Sequence, residues 1–207
     1  MAEGWITDAA EIYRRSFQII REETDLSRFP SEMTDIAIRV IHACGMTEIA
    51  PDLAWSEGAA QAGREALRAG APIIVDAEMV GRGIIASRLS AGNQIVCTLL
   101  EVAPEPGTTR SAMAVYLWRP HLEGAIVVVG NAPTALFRLL SMIEESGIRP
   151  ALIVGFPVGF VGAAESKEAL AASGLPFITL KGRKGGSAMA AAVVNALSIP
   201  CDGGPSP

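Results

Sequence analysis

One of the two histidines of the chain lies in a segment whose composition suits proton transfer. His42 follows Arg39 by three residues at the end of a predicted helix, so the two side chains share a helical face. The helix dipole would stabilise a protonated imidazole there, and such a group can donate and accept a proton near neutral pH. Arg39 would hold an anionic substrate against it. From the residues alone, the simpler interpretation is that His42 only caps the last carbonyls of the helix.

The cysteines and the second histidine offer no comparable chemistry. Cys44 does not form a dyad with His42, because each helical residue is rotated by about 100° from its neighbour. Core packing explains Cys44 and Cys97 better, and Cys201 in the tail and His121 in a predicted surface turn are incidental. Three cysteines without CxxC spacing argue against a disulfide framework, and two histidines argue against a multi-histidine zinc site.

An acidic pair, Asp76 and Glu78, ends the first predicted strand. Two carboxylates at this position could perform acid–base chemistry or bind a metal ion. Asp76 could instead cap the N-terminus of the following helix. The sequence leaves both interpretations open.

Three predicted strands run into glycine-rich turns, and each turn leads into a helix. Free backbone N–H groups and the helix dipole favour anions at such helix N-termini. A single glycine-rich turn indicates only a tight turn, but three on one sheet edge, one of them with three basic residues, favour an anion site. No GxxxxGK[ST] motif occurs and the first strand–helix turn lacks GxGxxG, so a dinucleotide site is not indicated. The turns are 130–134, 155–162 and 181–187, and the basic residues are Lys181, Arg183 and Lys184.

The elements that must position these residues alternate between strands and helices. Helices are predicted over 8–23, over 31–44 with Ser31 as N-cap and Gly45 as the stop, and over 56–68. Short β-branched runs then alternate with further helices, which is typical of a doubly wound, mainly parallel α/β sheet. We expect five strands with helices on both faces. The strand runs are 73–76, 94–97, 125–129, 152–154 and 177–180, and the later helices are 109–117, 134–146, 165–172 and 187–197.

Composition indicates a soluble globular protein. Half of the 207 residues are hydrophobic and 19% are charged, so the chain can bury a large core. We expect one α/β domain over 1–198, with a helical N-terminal part over 1–70 and a flexible tail over 199–207. The formal net charge of −5 argues against a nucleic-acid partner. No signal peptide or membrane span is recognisable, which favours the cytoplasm.

Several long segments resemble the precorrin-8X methylmutase (precorrin isomerase) family. The segment from Arg39 to Met46, RVIHACGM, is similar to the hallmark of that family, and the other similar segments follow in the same order along nearly the whole chain. These segments are IYRRSF (12–17), GAPIIVDAEMV (70–80), GNAPTALF (130–137), GFPVGFVGAAESK (155–167) and GGSAM (185–189).

The resemblance implies a flavodoxin-like three-layer α/β/α fold and a homodimer with active sites near the subunit interface. It implies no cofactor, no required metal, and an isomerase of cobalamin biosynthesis that moves a methyl group of precorrin-8X from C-11 to C-12, giving hydrobyrinic acid. His42 would be the proton donor and acceptor, and Ser16 and Arg39 would contact the substrate. The substrate carries many carboxylates, which suits further binding by Arg15 and by the glycine-rich turns. The residues expected there are Gly130, Asn131, Gly159, Gly185, Gly186 and Ser187, with Phe156, Val158 and Phe160 as apolar contacts.

Three alternatives remain beside this function. The chain could be a non-catalytic carrier of hydrobyrinic acid, which should still bind pigment after His42→Ala. It could instead act on the cobalt-containing substrate of the anaerobic pathway. A nucleotide-dependent α/β enzyme is suggested by fold type only, and fold does not fix function.

Overall fold

The computed structural model describes residues 5–103 and 105–199. Six strands form one mixed sheet in the order β1-β6-β5-β4-β2-β3. All neighbouring strands are parallel except β1, which pairs antiparallel with β6 at one edge. The strands are β1 (Leu53–Trp55), β2 (Ile73–Val75), β3 (Ile95–Val96), β4 (Ile126–Val129), β5 (Leu152–Gly155) and β6 (Phe177–Leu180).

Eight α-helices and several short 3-10 segments connect the strands within the described ranges. The helices are α1 (Ala9–Glu23), α2 (Ser31–Cys44), α3 (Ala59–Arg68), α4 (Glu78–Gly83), α5 (Arg110–Ala114), α6 (Pro133–Ser146), α7 (Ala163–Ala172) and α8 (Ser187–Leu197). Within the same ranges, no helix combines the length and apolar character that crossing a lipid bilayer needs.

Helices cover both faces of the sheet, because strand side chains alternate between two hydrophobic clusters. Val75, Val128 and Val154 face the cluster that includes α2, α3 and α8. Ile74 and Val127 face the other cluster, which contains α6 and the buried Trp118. The expected α/β class is therefore confirmed, whereas the sheet is a mixed one of six strands rather than the expected five.

The sequence interpretation failed at several local points, and helix α4 was not among the predicted helices. It missed β1, an edge strand of three residues, so the sheet has six strands and the N-terminal part is not wholly helical. Ser31 is the first residue of α2, and Pro30 occupies the N-cap without a side-chain hydrogen bond. The helix expected over 109–117 is α5 followed by a 3-10 segment, Val115–His121. Cys201 and residues 200–207 of the expected tail lie outside the described residues.

Candidate active site

His42 lies in the last turn of α2, as the sequence predicts. The helix ends at Gly45, which adopts the left-handed conformation (φ 69°) and donates its N–H to Ile41 O at 2.8 Å. Val40 and Ile41 point into the core, so the partly buried Arg39 and the imidazole of His42 remain on the outer face. The helical period of α2 thus presents both polar side chains on its open face.

Helix α1 surrounds the imidazole with aromatic rings. The ring centroids of Tyr13 and Phe17 lie 5.3 and 5.4 Å from that of His42, and Phe17 meets it edge to face. The guanidinium of Arg39 lies over the Phe17 ring at 5.1 Å. Tyr13 and Phe17 are four residues apart and therefore share one face of α1. This packing fixes the ring of His42 while leaving part of it open to solvent.

The open side of His42 faces a pocket of about 230 Å³. The pocket lies between α1, α2 and α8, and three alanines of α8 leave the space that larger side chains would fill. Asn195 closes one wall, since its Nδ2 donates to Gly83 O at 2.9 Å and its Oδ1 accepts from the N–H of Ile85 at 2.8 Å. The lining residues are Tyr13, Arg39, His42, Ala43, Gly83, Ile85, Arg88, Ala188, Ala191, Ala192 and Asn195.

The electrostatics of this pocket differ from the sequence expectation. Burial, followed by the positive charge of Arg39, lowers the pKa of His42, whereas the helix dipole alone would favour the protonated form. Burial and the charge of Arg88 likewise lower the pKa of Arg39. Two guanidinium groups therefore line the pocket, and the charge of Arg39 favours a neutral imidazole at His42.

The residues expected on α1 lie near this pocket without lining it. Ser16 is partly buried one position before Phe17, and Arg15 is exposed. Tyr13, Arg88 and Asn195 line the pocket but were not singled out from the sequence. The four-residue spacing of Tyr13 and Phe17 could have revealed the aromatic wall.

The side chain of Asp76 holds the turn after β4 through hydrogen bonds. Its buried carboxylate accepts hydrogen bonds from the N–H groups of Gly130, Asn131 and Ala132 at 2.8, 3.0 and 2.7 Å. Burial raises the pKa of Asp76, and these hydrogen bonds oppose the rise. The backbone N–H groups of this turn are therefore used internally rather than offered to an anion.

Asp76 does not cap α4, because Ala77 precedes that helix without a side-chain hydrogen bond, so the N-cap interpretation was wrong. Glu78 is exposed and lies 3.8 Å from Arg82. Within residues 5–103 and 105–199, no group of three His, Cys, Asp or Glu side chains is arranged to hold a metal ion.

The other two glycine-rich turns pack against each other. Gly186 donates its N–H to Phe156 O at 2.8 Å, and Gly159 donates to Arg183 O at 3.2 Å. A Cβ on Gly185 would clash with Phe156 O and would lie 2.7 Å from Pro157 O, so only glycine fits this approach.

Of the three apolar residues expected to contact a ligand, one is buried and two are exposed. Phe156 is fully buried, Val158 is exposed, and Phe160 is 86% exposed with Arg183 over its ring. Ser187, the first residue of α8, is buried, and Ala188 after it lines the His42 pocket. The third turn is thereby connected to the pocket through α8.

A histidine beside two arginines, in a pocket between a helix end and an α/β core, is chemically able to exchange a proton with an anionic ligand. Comparisons with known proteins assign the chain to a family. The chain is 56% identical over 201 residues to a precorrin-8X methylmutase of Pseudomonas aeruginosa, covering 94% of this chain and 97% of the relative. It is 39% identical over 200 residues to a cobalt-precorrin-8 methylmutase of Priestia megaterium, covering 94% and 89%.

A solved structure described as a precorrin-8X methyl mutase from Thermus thermophilus matches the fold with a TM-score of 0.83 at 40% identity, covering 91% of this chain and 94% of that chain. The model of the precorrin-8X methylmutase family matches residues 11–199. The chain belongs to the precorrin-8X methylmutase family, and a methylmutase is an isomerase.

Proposed function

We propose that the chain converts precorrin-8X into hydrobyrinic acid in cobalamin biosynthesis by moving a methyl group from C-11 to C-12, with His42 as the proton donor and acceptor. The observation that carries this proposal is the placement of His42 in a pocket beside Arg39 and Arg88. The relatives that are 56% and 52% identical are both named precorrin-8X methylmutase.

The methyl shift needs no nucleophile from the protein. A suprafacial 1,5-shift is thermally allowed, and protonation of a ring nitrogen near C-11 would polarise the conjugated system and ease the migration. Removal of the same proton after the shift restores the enzyme, so one histidine serves both steps. The remaining barrier is lowered by complementarity to the migrating state.

The pKa of His42 explains how the proton would become available. In the free chain, burial and Arg39 lower that pKa, so the imidazole is biased towards its neutral form. Carboxylates of a bound substrate would offset the charges of Arg39 and Arg88 and raise the pKa of His42. Substrate binding would thus favour protonation of the His42 imidazole, which is the acid that the reaction uses.

The size of the pocket supports a homodimer with active sites near its interface. Ligand sites usually enclose about 300–1,000 Å³, and a corrin macrocycle is a large ligand. The pocket of one chain measures about 230 Å³. The exposed apolar side chains of Ile12, Ile19 and Ile85, on and near its walls, suit a second subunit that completes the site.

The order of the parallel strands supports a flavodoxin-like fold. Counted along the chain, the five parallel strands lie in the order 2-1-3-4-5, with the switch point between β2 and β4. Asp76 and Gly130 follow those two strands. We place further substrate contacts on this side of the molecule, at Asn131, Gly159, Gly185, Gly186 and Ser187, and on α1 at Arg15 and Ser16.

We propose the metal-free substrate rather than cobalt-precorrin-8. The relatives named for the metal-free substrate are 56% and 52% identical. The relatives named for the cobalt-containing substrate are 35–42% identical. A side-by-side assay of both substrates decides this choice, and a higher kcat/KM on the cobalt form would reverse it.

The proton role is tested by following absorbance of enzymatically prepared precorrin-8X with the wild type and with His42→Ala. General acid–base catalysis typically contributes about 10²–10⁴-fold, so the variant should lose at least about 100-fold in kcat while still binding hydrobyrinic acid. His121→Ala, which removes the other histidine, is the matched control and should react like the wild type. Equal rates in His42→Ala would remove His42 from the mechanism. Binding without conversion by the wild type on either substrate would favour the carrier.

A further inference from the structure

Asn195 is a polar residue near the C-terminal end of an otherwise apolar helix. The other residues of α8 after Ser187 are alanine, methionine, valine and leucine. Asparagine is a poor helix former, because its amide competes with the backbone for hydrogen bonds. In α8 the amide bonds to a distant part of the chain instead. The local helix therefore does not explain this residue, whereas its distant partners do.

The partners of Asn195 are two backbone groups at the end of α4. Its Nδ2 donates to Gly83 O at 2.9 Å, and its Oδ1 accepts from the N–H of Ile85 at 2.8 Å. An amide offers this donor and this acceptor on one short side chain, whereas an ionised carboxylate or an aliphatic group does not. The segment also passes close to α8, since a Cβ on Gly83 would lie 2.8 Å from the Cβ of Ala191, one turn before Asn195. Asn195 thus fixes the segment after α4 against α8.

The fixed segment forms one wall of the proposed catalytic pocket. Ile85 precedes a single 3-10 turn, Ala86–Arg88, and the N–H of Arg88 donates to Ile85 O at 3.0 Å. The backbone of Ile85 is therefore bonded to Asn195 through its N–H and to Arg88 through its carbonyl. Ile85 and Arg88 both line the pocket that contains His42. Two hydrogen bonds thus connect Asn195 to the position of Arg88.

Arg88 lies where it can act on the same ligand as Arg39. Burial and then the charge of Arg88 lower the pKa of Arg39, so the two guanidinium groups are within electrostatic reach of each other. Arg88 already has an interaction within the chain, but a guanidinium has five N–H donors and can bind a carboxylate in addition. Binding of a carboxylate by two parallel N–H groups requires the planar guanidinium to be correctly oriented. The placement of the Arg88 backbone therefore matters for binding.

We propose that Asn195 is a positioning residue, which holds the segment from Gly83 to Arg88 so that Arg88 binds a carboxylate of the tetrapyrrole beside His42. Because this role takes the pigment as the ligand of the pocket, it depends on the proposed function. The methyl shift does not alter a peripheral carboxylate, so the contact with Arg88 is made equally before, during and after the shift. Asn195 therefore acts on binding, whereas His42 acts on the chemical step.

The first test needs no pigment and compares amide hydrogen exchange by NMR in the wild type, Asn195→Leu and Asn93→Leu. Both hydrogen bonds of Asn195 are exposed, so water can replace them and the variant should fold; Asn195→Ala takes its place if leucine does not fit. We expect the amides of Ile85 and Arg88 to exchange at least about tenfold faster in Asn195→Leu. Asn93→Leu is the matched control: it also removes two hydrogen bonds to backbone carbonyls, around the end of α3 and outside the pocket, and should leave both amides unchanged. Unchanged exchange in both Asn195 variants would overturn the positioning role.

The second test measures hydrobyrinic acid binding and precorrin-8X turnover by absorbance. Asn195→Leu should raise Kd and KM about tenfold and change kcat less than about threefold, which is the opposite of the result expected for His42→Ala. Arg88→Met should raise Kd similarly. Adding Asn195→Leu to Arg88→Met should have no further effect, because both changes remove the same contact. Asn93→Leu should bind the pigment like the wild type.

Two results of the second test would also overturn the proposal. Additive effects of Asn195→Leu and Arg88→Met would show that Asn195 acts independently of Arg88, and a lower kcat with an unchanged Kd would place Asn195 in the chemical step. A wild type that binds no pigment would refute the proposed function and the binding role with it. The exchange experiment would still show whether Asn195 holds the segment, so the two failures are distinguishable.

Discussion

Lys167 should make the stability of this protein depend on pH in the alkaline range. It lies in α7 with only 1% of its surface exposed, and its Nζ donates to Lys184 O at 2.6 Å. Burial lowers the pKa of Lys167 from the ordinary 10.5 to about 8, against an opposing effect of the Asp52 charge. The fold therefore confines an ammonium group in a site that disfavours its charge, beside the turn that leads into α8.

The magnitude follows from the two pKa values. Above about pH 8 the folded chain releases the proton of Lys167, while the unfolded chain keeps it until about 10.5. The unfolded state then binds more protons, so stability rises with pH across this window. A drop from 10.5 to about 8 corresponds to about 3 kcal/mol at 1.36 kcal/mol per pKa unit. This gain in stability is absent below about pH 8, where Lys167 is protonated in both the folded and the unfolded chain.

The assay is urea unfolding of the wild type and Lys167→Met at intervals between pH 7.5 and pH 10.5. Methionine keeps the apolar stem but cannot titrate, so the difference in unfolding free energy, wild type minus variant, should increase by about 3 kcal/mol from the lower to the higher pH. Lys181→Met, at an exposed lysine after β6, is the matched control and should show no such trend. A difference that stays constant with pH would refute the assignment of a lowered pKa to Lys167.

Three further predictions concern the turn after β4 and the imidazole. Asp76→Asn should lower the unfolding free energy in urea by about 3 kcal/mol, because an amide can accept fewer of the three backbone N–H groups now bound to the carboxylate; an unchanged midpoint would contradict this. Gly130→Ala should cost about 1–3 kcal/mol, since its Cβ would lie 2.8–2.9 Å from atoms of three neighbouring residues, and the thermal midpoint should fall accordingly. Arg39→Gln should raise the pKa of His42, because the charge of Arg39 lowers it. Proton NMR measures this pKa, and the His121→Asn variant assigns the two imidazole signals. A pKa that does not rise would remove Arg39 as a cause.

Local pattern was sufficient to predict most elements. The five parallel strands are runs of β-branched residues bounded by turn residues, which suits strands buried on both faces. The end of α2 could be predicted because Gly45 follows the last apolar position and supplies the left-handed cap. The shared face of Arg39 and His42 follows from the helical period alone.

Other features had no local signal. β1 is three residues long, and it becomes a strand because β6 presents an unpaired edge to it. Asp76 could have capped the next residues, but the sheet brings the backbone of the β4 turn within hydrogen-bond distance of its carboxylate. A short polar side chain binds whichever N–H groups the fold places beside it, and these came from a distant part of the sequence.

The sequence by itself determined the family resemblance, the α/β class and the position of the candidate histidine at a helix end, because each depends on residues close together along the chain. Only the tertiary structure decided the environment of that histidine. Tyr13 and Phe17 from α1, Arg88 from the segment after α4, and the alanines of α8 converge on it through packing. Burial and charge, which depend on such convergence, then reversed the pKa direction that the helix dipole alone suggested for His42.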